Sequence, residues 1–108
     1  MEIKMGQYRV DFDATPWNTS VAGVRSKTYK QGGKQLRLVE FSRAFVEPDW
    51  CTKGHIGCVL DGELELNFSG EIIIFKSGDG LFIPAGDEGK HMARALTDTA
   101  TLLLVEDA

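Results

Sequence analysis

The chain has 108 residues, 43% hydrophobic and 26% charged, a length and balance that suit one folded domain and exclude disordered, collagen-like or coiled-coil architectures. Its formal net charge of −4, with no basic run longer than two residues, excludes broad electrostatic binding to nucleic acid. No stretch is apolar for long enough to cross a bilayer or to form a signal-peptide core, so a cytoplasmic protein without a membrane partner is expected.

Turn-forming residues recur at intervals of roughly 7 to 15 residues: Gly32-Gly33, Glu47-Pro48-Asp49, Lys53-Gly54, Asp61-Gly62, Ser69-Gly70, residues 77–80 and Pro84-Ala85-Gly86. That rhythm leaves little room for helices and belongs to sandwiches and barrels. The first 35 residues are expected to supply N-terminal strands, with Trp17 a packing residue. From 36 to 41, Leu36, Leu38 and Glu40 alternate with Arg37, Val39 and Phe41, which is strand periodicity. Residues 56–60 and 63–68 read as two strands, the second cleanly half-buried, and the Asp61-Gly62 pair between them predicts a two-residue hairpin of type I′. The continuous apolar runs at 72–75, 81–83 and 101–106 predict strands buried on both faces or capped by the other sheet. The two cysteines are read as thiols rather than a bridge, with Cys58 a small core hydrophobe on the strand after Gly57.

On this layout the second half of the chain, about 45–106, resembles the cupin superfamily. The later motif of that family runs Gly, five residues, Pro, any residue, Gly, two residues, His. Here GDGLFIPAGDEGKH places Gly78, Pro84 and Gly86 in register, with His91 five residues after Gly86 instead of three. The earlier motif runs His-x-His, three or four residues, Glu, six residues, Gly. Gly62 matches its end, His55 stands at the Glu position, and Cys51 and Asp49 stand at the two His positions. The resemblance implies an all-β fold, a double-stranded β-helix or jelly-roll barrel over residues 1–108, with the motif-bearing core at about 36–106 and N-terminal strands in 1–35. It also implies a homodimer, paired through strands of the N-terminal half, and a small-molecule site where the two motifs line one end of the barrel.

The candidate ligands are Asp49, Cys51, His55 and His91. In one straight strand Cys51 and His55 would lie about 13 Å apart at roughly 3.3 Å per residue, too far to share an ion. A reversal at Thr52-Lys53-Gly54, with positive φ at Gly54, is therefore expected to bring them to roughly 5 Å as cross-strand neighbours. Thiolate and imidazole together suit Zn²⁺, whereas Asp49, His55 and His91 would form the two-histidine, one-carboxylate set that suits Fe(II). A thiolate–imidazolium nucleophile built on Cys51 is a third arrangement, without an orienting residue that can be named. Trp50 and Lys53 are candidate ligand-binding residues at the mouth. The function expected is thus a divalent-metal or small-molecule site on a cupin scaffold, the alternative being a sensory or ligand-binding protein without metal.

Overall fold

The structure, a computed structural model, describes residues 8–108. Nine strands are present among the described residues: β1 Asn18–Val21, β2 Val24–Gln31, β3 Lys34–Ser42, β4 His55–Asp61, β5 Glu63–Phe68, β6 Glu71–Lys76, β7 Gly80–Ile83, β8 Met92–Ala95 and β9 Thr99–Asp107. They form two antiparallel sheets, one of six strands in the order β1-β2-β3-β9-β4-β7 and one of three in the order β6-β5-β8. This is the jelly-roll barrel expected of the all-β reading. No helix among the described residues is long and apolar enough to cross a membrane.

Residues 8–17 lead into β1 through a short 3-10 turn, Phe12–Ala14. Trp17 is a packing residue, as expected: its ring lies under the Arg25 guanidinium and the Lys27 ammonium, at 4.1 and 4.8 Å from the ring centroid. The hairpin from β2 to β3 turns at Gly32-Gly33, both at positive φ, and register then runs unbroken from Gln31↔Lys34 to Val24↔Phe41.

The core lies between the sheets and is filled by alternate residues of each strand: Val39 from β3, Val59 from β4, Leu64 and Leu66 from β5, Leu81 and Ile83 from β7, Leu102 and Leu104 from β9. None of the three apolar runs is buried on both faces; β7 and β9 take the other expected form, with one face turned to the core between the sheets. Strand β9 alternates, with Leu102, Leu104 and Glu106 buried and Val105 43% exposed, and β7 buries Leu81 and Ile83 while Phe82 is 81% exposed. On β6, Ile72, Ile73 and Ile74 are all exposed, because β6 is the edge of the smaller sheet and pairs only with β5. Aliphatic runs score as buried on composition, but the pleat turns one side of β7 and of β9 outward and neither side of the β6 isoleucine run is buried.

The expected β4–β5 hairpin does not form. Strand β4 pairs with β7 and β9, and β5 with β6 and β8, so Asp61-Gly62 is a corner at which the chain leaves one sheet for the other. Only Gly62 takes positive φ (79°), whereas a type I′ turn needs it at both central residues. A side chain at Gly62 would also run into the Thr99 carbonyl oxygen.

Cys58 lies on the outer face of β4, between Leu103 and Gly80, and is half-buried. It is not part of the inner core, because strand parity assigns that side to His55 and Val59.

Candidate metal centre

The reversal expected at Thr52-Lys53-Gly54 is also absent. Gly54 is not among the glycines at positive φ, and residues 52–54 form no turn. Cys51 instead makes a two-bond antiparallel bridge with His91, its N–H donating to the His91 carbonyl at 2.8 Å and its own carbonyl accepting from the His91 N–H at 3.0 Å. His91 immediately precedes β8 of the smaller sheet, and His55 opens β4 of the larger one. Residues 52–54 therefore cross from one sheet to the other at the barrel mouth, and the side chains at their two ends converge across the corner. The Thr52 carbonyl is held by the Gly86 N–H at 2.9 Å. Gly54 is needed for close approach: a Cβ there would stand 2.9 Å from the Ala85 nitrogen and 3.1 Å from the Ile83 carbonyl oxygen.

Cys51, His55 and His91 consequently present one ligand atom each within 4.8 Å of one another. Cys51 Sγ lies 3.9 Å from His55 Nε2, and the two imidazole rings meet edge to face with centroids 5.2 Å apart. Ligands at about 2.3 Å (sulfur) and 2.1 Å (nitrogen) from a tetrahedral ion are separated by roughly 3.6 Å, so the group needs only a small contraction to hold one. His55 and His91 are buried, at 8% and 3% exposure, and Cys51 is half-buried.

The proton positions of both histidines follow from their partners. His91 Nδ1 is 2.8 Å from the Gly89 carbonyl, which can only accept, so Nδ1 carries the hydrogen and Nε2 is left with a lone pair. His55 Nδ1 is 2.5 Å from Glu106 Oε2, so it donates to the carboxylate and leaves its own Nε2 facing Cys51. Glu106 is buried at 8% exposure and is held in turn by Arg37, whose Nε and Nη2 donate to its two oxygens at 2.8 and 2.9 Å, and by Gln35 Nε2 at 2.9 Å. Burial alone would raise the Glu106 pKa. The hydrogen bonds from His55, Arg37 and Gln35 and the Arg37 charge outweigh it and hold the carboxyl well below the usual range. Burial lowers the His91 pKa, and the neighbouring His55 adds to that, against the Gly89 hydrogen bond. A neutral imidazole is the form that ligates.

Beside this group lies a cavity of about 270 Å³. Its apolar wall includes Val24, Phe41, Phe45, Leu66, Leu102 and Leu104, and its charged residues are Arg37, Glu47 and Lys53. Burial raises the Glu47 pKa, offset in part by the Ala93 N–H and by the charge of His55.

Of the residues singled out from the sequence, Cys51, His55 and His91 are brought together and Lys53 reaches the cavity wall. Asp49 is exposed and stands outside the three-residue group. Trp50 is 39% exposed and faces Lys90, whose ammonium is 5.7 Å from its ring centroid. Glu106, Arg37 and Glu47 were not singled out. The signal for Glu106 is a lone carboxylate at the inner parity of β9, two residues after Leu104, and for Arg37 a lone cation at the inner parity of β3.

No protein-family model and no curated protein matches the sequence. Solved structures do. KdgF from Halomonas sp. is 25% identical, with 89% of this chain and 91% of that one covered and a TM-score of 0.71. An RmlC-like cupin from Shewanella frigidimarina NCIMB 400 is 18% identical over 91% of this chain and 87% of its own, at a TM-score of 0.73. The iron(II) form of HppE superposes at 0.69 with 15% identity, over 87% of this chain and 56% of that one. Two antiparallel sheets closed into a barrel, with residues of both motifs meeting at one mouth and these structures superposing on most of the chain, show that this chain has the cupin fold.

Proposed function

We propose that the protein binds a divalent transition metal through Cys51 Sγ, His55 Nε2 and His91 Nε2, and holds a small organic molecule against it in the adjoining cavity. The observation that carries this reading is the convergence of three ligand atoms within 4.8 Å, two of them on buried imidazoles whose other nitrogens are already committed to fixed acceptors. Such outer partners are what hold a ligating histidine in the correct tautomer and orientation. The donor set of one thiolate and two imidazoles favours Zn²⁺. A set of two histidines and a carboxylate, which would favour Fe(II), needs Asp49 to leave solvent and reach the cavity.

Three protein ligands leave a fourth position open, the pattern of catalytic rather than structural zinc. When bound, such an ion supplies Lewis acidity towards an oxygen of the ligand. This chain's own residues then do the rest. The apolar wall excludes water, the Cys51–His91 backbone bridge fixes the spacing of two ligands, and Glu106 keeps the His55 Nδ1 proton in place. The protein is further proposed to act in the cytoplasm as a homodimer, a reading supported by the apolar side chains left exposed on β4, β7 and β9.

Metal analysis of protein purified under reducing, anaerobic conditions tests the central claim. About one equivalent of zinc per chain is expected, with the content falling at least tenfold in C51A, H55A and H91A. Absence of any bound transition metal in the wild type overturns it.

A further inference from the structure

Arg37 is a cation set into an otherwise largely apolar wall. It sits on the inner face of β3, opposite Leu104 of β9, and its side chain is 25% exposed. Glu106 takes two of its donors, Nε and one N–H of Nη2. The N–H groups of Nη1 and the second of Nη2 have no protein partner among the described residues. No side-chain nitrogen or oxygen among the described residues is both fully buried and unpartnered, so the unpartnered Nη1 is reachable, and Arg37 lines the cavity.

Charge balance points the same way. A divalent ion, the Cys51 thiolate, the Arg37 guanidinium and the Glu106 carboxylate together leave one positive charge on the centre; of the other charged groups on the cavity wall, Lys53 adds one and an ionised Glu47 removes one. Glu47 is the only carboxylate on the cavity wall, and no ion pair joins it to Arg37 or Lys53 among the described residues. A volume of about 270 Å³ lies below the usual range of small-molecule pockets, roughly 300–1,000 Å³, so the occupant is small.

We propose that the open edge of the Arg37 guanidinium receives a carboxylate oxygen of the ligand, so that the cavity selects small organic monoanions with an apolar body. This rests on the cavity being the ligand site, as argued above. Glu106 then has two tasks through one carboxylate: it orients His55 for the metal, and it fixes Arg37 with its free donors towards the ligand. A guanidinium fork is suited to this because it offers planar, paired donors that an ammonium cannot.

The test compares benzoate with benzamide, two probes of nearly the same shape that differ in charge, titrated by NMR into zinc-loaded and metal-free protein. The proposal expects benzoate to bind roughly tenfold or more tightly than benzamide to the loaded protein, and to keep a weaker preference without metal. In R37K the benzoate affinity is expected to fall roughly tenfold while benzamide changes by less than about twofold. Should R37K fail to fold, the guanidinium resonances of Arg37 in the wild type carry the same test: a shift with benzoate and none with benzamide supports the proposal. Equal binding of the two probes, binding of neither, or a benzoate preference that needs zinc and ignores Arg37 overturns it. A benzoate preference that depends on Arg37 in a protein that takes up no metal would uphold this proposal and defeat the metal reading instead, so the two fail separately.

Discussion

At the scale of single residues, Glu106 stands behind the candidate ligands, bonded to His55 at Nδ1, while His55 Nε2 faces Cys51. Its carboxylate couples His55 on β4 to Arg37 and Gln35 on β3, so one buried side chain ties together three strands of the larger sheet. It is a positioning residue, and E106Q is expected to weaken zinc binding about 10- to 100-fold, read by competition with a chromophoric chelator, with partial recovery in E106D. A purely structural role would lower thermal stability in E106Q and leave the affinity of the folded protein unchanged. Acid sensitivity follows from the same residue. Because the Glu106 pKa is depressed in the folded state, the unfolded chain binds more protons there as acid is added. Its contribution to stability is therefore complete above the ordinary carboxylate value of about 4.3 and is lost progressively below it. Glu47, with a raised pKa, acts in the opposite sense, favouring the fold when protonated. Thermal midpoints of metal-free protein should thus fall more steeply below about pH 4.3 in the wild type than in E106Q; parallel curves would contradict the assignment. Cys51, His55 and His91 were legible in the sequence because chemistry and motif spacing coincide on them. Glu106 was not, because it closes an apolar run whose face cannot be assigned until the strand is paired.

Among the elements, the corners carry the information that the strands do not. Asp61-Gly62 has the residues of a tight hairpin, yet the chain uses it to change sheets, because β4 finds its partners in β7 and β9, which come later in the sequence. Thr52-Lys53-Gly54 likewise crosses between sheets where a turn was expected. In both places local turn chemistry was read correctly as a break and wrongly as a reversal, since a break is local and a pairing partner is not. Close backbone approach gives a direct test of the β4–β9 seam. A Cβ at Gly57 would fall inside the Leu103 carbonyl, whereas one at Gly80 would meet only the Gly57 oxygen at an ordinary 3.7 Å. G57A is expected to cost about 1–3 kcal/mol in chemical denaturation and G80A less than about 0.5 kcal/mol. Equal effects would mean that β4 does not lie against β9 as described.

For the whole molecule, the six-stranded sheet has two unlike faces. Inside is the core and the cavity. Outside, Phe82 of β7, Ile56 of β4 and Val105 of β9 are cross-strand neighbours in one row, at 81%, 49% and 43% exposure, with Leu60 of β4 on the same face at 48%. An exposed apolar row of this kind is suited to association between chains, and it stands in the second half of the chain, whereas the resemblance implies pairing through strands of the N-terminal half. Light scattering is expected to give a dimer for the wild type and a monomer for the double variant I56D/F82D, with zinc content unchanged; a wild-type monomer would remove the dimer from the proposal. What the sequence by itself determined is the kind of fold and the three side chains that meet at one mouth of the barrel. Turn spacing, period-2 alternation and three motif residues in register lead to a jelly roll, and the scarcity of thiol and imidazole side chains singles out Cys51, His55 and His91. Only the tertiary structure decided which strands pair, which face of each apolar run is wet, and that Glu106 and Arg37 stand behind His55. Those outcomes depend on partners distant along the chain, 22 to 28 residues for β4 with β7 and 51 and 69 residues for Glu106 with His55 and Arg37, and periodicity, which reports only near neighbours, carries no record of them.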